Sequence, residues 1–182
     1  MAKVNSKAKG SSFERDISKL LSEIYNTPKG FSRSAGSGNR FGGKNSVNLN
    51  IHNRQSSKAQ LGDIQTPDSI DLIVECKSYK EFTFHHILQG SCKVLDTWLD
   101  QLITDRGTFE KVFNERLPVL LFFKINMKGT YIAVPKTLIK KPCRKIVKIE
   151  YIFKDEVYCI FDIKIFRENK ELIKSLVKGT NV

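Results

Sequence analysis

Apolar residues along 11–25 fall on one side of a helix: Phe13, Ile17, Leu20, Leu21 and Ile24 are spaced i, i+4, i+7, i+8 and i+11. Ser11-Ser12-Phe13-Glu14 has the form of a capping box, with Ser11 as N-cap and Glu14 reaching back to its amide. A turn at 26–30 leads into a short strand at 31–34, broken by Ala35-Gly36-Ser37-Gly38. Residues 61–65 and 70–77 read as two strands joined by Thr66-Pro67-Asp68-Ser69, a turn-forming tetrapeptide. A seam of Phe84, Leu88, Leu95, Trp98 and Leu102 predicts a long helix over 83–105, stopping at Arg106-Gly107. Residues 118–125 form a buried strand that turns at 126–129 and pairs with 130–134. A second hairpin over 146–153 and 157–163, then an amphipathic helix over 167–178, complete an α/β pattern.

Folding the 61–77 hairpin about Pro67-Asp68 changes what its polar residues mean. Successive side chains on a strand alternate in direction, so Glu75 and Lys77 share a face while Val74 and Cys76 point inward. The fold of the hairpin brings Asp63 beside that face. Two carboxylates and an ammonium then meet at one end of a sheet, and such an oxygen-rich set suits a hard divalent cation. The lysine would position a water or stabilise charge on a phosphate. Asp71 shares the strand parity of Glu75 and stands as a rival acid. Asp68 belongs to the turn. Glu14 has two readings, a helix cap or a third carboxylate facing the same site. Arg15 beside it is placed to meet a phosphate.

Charge narrows the partner. The 182 residues carry a net charge of +12, which favours a polyanion, nucleic acid before membrane. No apolar run spans a bilayer, and MAKVNSKAKGSS at the start reads as a basic, flexible tail over 1–10, not a signal peptide. Cys76, Cys92, Cys143 and Cys159 lack C-x-x-C spacing and read as reduced, buried thiols of a cytoplasmic protein. From Ile24 to Gly62 there is no acidic residue, whereas Lys29, Arg33, Arg40, Lys44, Arg54 and Lys58 are all basic. Residues 39–60 therefore read as a DNA-contacting flap, a basic loop long for a compact domain. His52 in it reads as solvated.

The segments GSSFER at 10–15, FSRSAGSG at 31–38, GDI at 62–64, IVECK at 73–77 and PVLLFFKINMKGTYIAVP at 118–135 occur in the order of a known family. Over 10–135 the chain resembles an archaeal-type Holliday junction resolvase of the PD-(D/E)xK nuclease superfamily, in a viral or phage relative. The length of the chain fits a single nuclease domain over 11–182. The resemblance implies a restriction-endonuclease-like α/β fold, a mixed central β-sheet flanked by helices. It implies Glu14, Asp63, Glu75 and Lys77 as catalytic residues, with Asp63, Glu75 and the main-chain carbonyl of Cys76 as ligands of Mg²⁺ (or Mn²⁺ in its place). Arg33, with Ser34 or Ser37, would match the family's phosphate-contacting arginine and serine. Family members cut four-way DNA junctions symmetrically as homodimers. The 39–60 segment is longer than the family's connection, and 136–182, read as a C-terminal hairpin and helix addition, lies beyond the match.

Three functions follow from this reading. The first is a structure-selective endonuclease for branched DNA. The second is another nuclease of the superfamily, for restriction or general DNA processing. The third is a non-catalytic DNA-binding protein of the same fold, against which the intact Glu14, Asp63, Glu75 and Lys77 set argues.

Overall fold

The computed structural model describes residues 6–28, 30–34, 53–140 and 149–170. Helix α1 spans Ser6–Ile24 and strand β1 spans Ser32–Arg33; α2 follows at Arg54–Lys58, then β2 at Ile64–Gln65 and β3 at Ile73–Tyr79. Next come α3 at Phe84–Leu88, α4 at Lys93–Phe113, β4 at Val119–Ile125 and β5 at Gly129–Pro135. A 3₁₀ turn at Lys136–Leu138, β6 at Ile149–Phe153, β7 at Glu156–Asp162 and α5 at Ile163–Glu168 complete the order. No helix among the described residues is long and apolar enough to cross a membrane.

Five strands form one mixed sheet in the order β3-β4-β5-β7-β6. β3 and β4 run parallel and the other pairs antiparallel. Parallel neighbours need a crossover, which α3 and α4 supply. Each sheet face has its own core. Val74, Cys76, Leu120 and Phe122 pack with Phe13, Ile17 and Leu21 of α1. Ile73, Leu121 and Phe123 pack with Leu95, Trp98, Leu99 and Leu102 of α4. The near-continuous apolar run of β4 follows from this burial on both faces. The α/β mixed sheet flanked by helices is the predicted fold class.

Several predicted boundaries are corrected. α1 begins at Ser6, so the tail is helical from there and Ser11 lies inside the helix instead of at its N-cap. The predicted 83–105 helix is two helices, interrupted by Gly90 at φ 76° and capped at Asn114 in the left-handed region. It runs through Gly107, because Phe109 beyond it is fully buried and rewards continuation. The C-terminal hairpin joins the central sheet, with β7 paired to both β5 and β6. The last described helix starts at Ile163, with the Asp162 side chain accepting from the Lys164 amide; residues 171–178 of the predicted helix lie outside the described residues. Cys76, Cys92 and Cys159 are free and buried; Cys143 is outside the described residues.

The 61–77 segment is not a regular hairpin either. β2 is two residues long and its ladder partner is β1, with Ser32 opposite Gln65 and Arg33 opposite Ile64. Residues 66–72 form a bulkier turn, in which the Ile70 amide donates to Pro67 O at 3.1 Å. The buried Lys58 ammonium donates to Pro67 O at 2.9 Å and Ile70 O at 2.8 Å. Buried carbonyls need donors, and this lysine serves two of them. Lys58 is 1% exposed. It is therefore a structural residue and not a phosphate contact.

Candidate active site

β3 is an edge strand of the five-stranded sheet, and the 61–65 segment crosses its open side. Main-chain bonds fix Asp63 on that edge. Its amide donates to Val74 O at 2.8 Å, and its carbonyl accepts from the Ser34 amide at 2.9 Å. Its Oδ2 accepts from the Cys76 amide at 2.9 Å. The close approach depends on Gly62, whose φ is +67° and where a Cβ would sit 2.4 Å from Val74 O. A larger residue there would meet backbone, which cannot swing away.

The predicted convergence is present by this route. Glu75 and Lys77 project toward α4, and Lys77 Nζ donates to Glu75 Oε1 at 2.5 Å. Glu75 is 1% exposed and Asp63 6%. Burial first, then the charge of Glu75, pushes the Asp63 carboxyl up to about 7. Burial likewise raises Glu75, against the opposing pull of Lys77. The Cys76 thiol is raised by burial and by the surrounding carboxylates. Charged oxygens packed away from water and close to each other are unfavourable without a counter-cation.

Glu14 approaches from α1, on the other side of the sheet edge. It is 8% exposed and forms an ion pair with Arg33 of β1. Its charge is felt at Asp63, so it belongs to the same cluster. Arg33, about a third exposed in its side chain, thus contacts an acid of the cluster from the rim. Arg15 is exposed on α1 next to Glu14.

Other predicted contacts are separated from this cluster. Asp71 pairs with Arg54 at 3.0 Å and Lys58 at 3.5 Å, so the rival acid belongs to the turn that Lys58 anchors. Arg54 also pairs with Glu115 at 2.5 Å and lies over the Phe109 ring at 5.8 Å. Its guanidinium ties α2 to Asp71, Glu115 and the Phe109 ring of α4, apart from the acid cluster. Ser34 is 5% exposed with its hydroxyl buried and unpartnered. It supports Asp63 through its amide, which corrects its assignment to a phosphate. Residues 54–58 of the predicted flap are helical. Ser37, Arg40 and Lys44 lie outside the described residues.

Two further residues belong to the site and were not expected. Gln101 Oε1 accepts from Lys77 Nζ at 2.9 Å. Asp105, one turn further along α4, is pushed up to about 6 by burial, with Lys77 pulling it down and Asp63 raising it. Spacing of i and i+4 on a helix put both on one side. That periodicity is the only signal the sequence holds for them.

Among the described residues no three His, Cys, Asp or Glu side chains form a ready metal-binding group. Asp63 and Glu75 offer two buried carboxylates, and their mutual repulsion is the kind a small hard cation relieves. A cation such as Mg²⁺ keeps several waters and needs only one or two carboxylates. The donor set fits that role.

Residues 5–178 match the family described as "Phage putative PDDEXK endonuclease". No curated protein and no solved structure matches the chain.

Proposed function

Because the chain belongs to the phage putative PDDEXK endonuclease family, we propose that it hydrolyses phosphodiester bonds in branched DNA, with Mg²⁺ as cofactor. The observation that carries the reading is Asp63, locked by the Cys76 amide beside the Glu75–Lys77 pair. The ordered resemblance to junction resolvases supports the branched substrate, and the charge of +12 supports a nucleic acid.

Asp63 and Glu75 would hold the cation, with the Cys76 carbonyl as a further donor. When bound, Mg²⁺ supplies Lewis-acid stabilisation and makes water a better nucleophile. The chain's own groups do the rest. The Cys76 amide keeps one Asp63 oxygen fixed, which orients the other. Lys77 presents a positive charge where negative charge grows on the phosphate. Arg33 has the fork geometry that matches a phosphate, and exchanging its Glu14 partner for DNA would release that carboxylate to the centre. Arg15 would meet a phosphate, Ser37 would serve beside Arg33 as the phosphate-contacting serine, and Arg40 and Lys44 would meet flanking backbone.

Paired cuts across a junction are made most simply by a two-fold dimer. β6 ends the sheet among the described residues and carries Ile152, 70% exposed. This edge is the face we assign to the second copy. The deciding experiment compares a synthetic four-way junction with a linear duplex of equal sequence, in Mg²⁺ and in EDTA. Metal-dependent, paired cutting of the junction supports the proposal. Equal cutting of the duplex moves the protein to general DNA processing.

A further inference from the structure

A lysine ammonium has three N–H donors on a flexible stem. In this site two are committed, one to Glu75 Oε1 at 2.5 Å and one to Gln101 Oε1 at 2.9 Å. The two acceptors differ in kind. Glu75 is a charged group that the proposed cation would also claim, so its hold on Lys77 weakens when the site is loaded. Gln101 is neutral and stands on α4, outside the donor set. Its neighbours Leu99 and Leu102 are fully buried, which fixes the helix that carries it.

We propose that Gln101 is a positioning residue, holding the Lys77 ammonium in place while Glu75 serves the cation. The inference rests on the endonuclease reading and deepens it. A neutral amide suits the task, because it accepts a hydrogen bond without cancelling the lysine charge. The third N–H is then left for an oxygen of the substrate or of the attacking water. Asp105, one turn further on, is close enough for its charge to act on Lys77. Gln101 fixes the direction of the ammonium through its hydrogen bond. Without Gln101 the lysine pivots about Glu75, and misplacement by about 1 Å costs on the order of 100-fold in rate.

The test uses Gln101→Met, which keeps length and removes the acceptor, and Gln101→Glu, which keeps an acceptor oxygen. Single-turnover cutting is measured in saturating Mg²⁺ on whichever DNA the wild type cuts. DNA affinity in EDTA and thermal melting are measured alongside. Gln101→Met is expected to slow cutting about 10- to 100-fold, with affinity and melting unchanged. Gln101→Glu keeps the direction of the ammonium but sets a negative charge against it, and is expected to cut faster than Gln101→Met and slower than wild type. Wild-type cutting by Gln101→Met overturns the proposal. Equal rate loss in both variants, in step with lower melting, assigns Gln101 to packing and also overturns it. A wild type that cuts no DNA defeats the endonuclease reading itself, before any variant is compared.

Discussion

Arg33 of β1 donates through Nε to Glu14 Oε2 of α1, joining the strand that supports Asp63 to the helix on the far side of the sheet edge. The pair is part-buried, and Glu14 makes no helix cap, since α1 starts at Ser6. Glu14→Gln keeps the shape and an acceptor for Arg33. It should cost no more than about 1 kcal/mol of stability, the scale of an exposed or part-exposed ion pair. Cutting should fall by orders of magnitude. Chemical denaturation and single-turnover rates, measured on one preparation, separate the two effects. A fully active Glu14→Gln protein would leave Glu14 with the structural role alone.

Asp63 and Asp71 give opposite outcomes. Asp63→Asn should abolish cutting and leave DNA affinity within a few-fold, because the side chain still accepts from the Cys76 amide. Asp71→Asn removes the partner of Arg54 and Lys58. It should lower stability by about 1–3 kcal/mol while the folded fraction cuts at the normal rate. An inactive, fully folded Asp71→Asn protein reverses the assignment.

Lys58 is the cleanest case of a cation that is not for DNA. Lys58→Met strips the donor from Pro67 O and Ile70 O, both in the turn that precedes β3. The expected loss is about 2–5 kcal/mol, from the buried Ile70 carbonyl left unsatisfied, Pro67 O left with the Ile70 amide alone, and Asp71 left with less compensation. The salt dependence of DNA binding should keep its slope, because no released counterion is involved. A slope shallower by about one unit would put Lys58 on a phosphate after all.

How legible each part was depended on the range of the forces that fixed it. The α1 stripe and the run 118–125 announce burial locally; both elements formed, the strand where expected and the helix with an earlier start at Ser6. Glu75 and Lys77 were legible through strand alternation, which needs no partner. Asp63 was reached by a hairpin that does not exist as a ladder; the actual hold is Gly62, two main-chain bonds and the Cys76 amide on the Asp63 side chain. Gln101 and Asp105 lie on a half-buried helix face, and polar residues there look like any solvated face until β3 is packed against them. Lys58 sat in an acid-free stretch, where charge counting assigned it to phosphate. Only tertiary structure shows the carbonyls it serves. The break at Gly90 was readable, but the apolar seam ran across it and outweighed one glycine.

The acid cluster makes the metal-free protein respond to pH in the direction opposite to a salt-bridged carboxylate. Asp63 is pushed up to about 7, and Asp105 to about 6, from an ordinary value of 3.8, with burial as the leading cause in both. The folded state then binds more protons than the unfolded state between about pH 4 and 7. Stability from this source is fully present below the unfolded pKa and is lost as pH rises through the folded one. Asp63→Asn removes its share of the penalty. In EDTA the variant should melt above wild type at pH 8, and the gap should close by pH 4. Glu156, held below its ordinary value by Tyr158 and Arg106 against the cost of burial, acts in the other direction. It is common to both proteins and cancels in the difference. Mg²⁺ at pH 8 should raise the wild type and leave Asp63→Asn nearly unmoved, since a bound ligand stabilises only the state that binds it. Melting curves in EDTA and in Mg²⁺ across this pH range provide the check. A wild type that melts above Asp63→Asn at pH 8 in EDTA would mean that the carboxylate is already compensated within the protein.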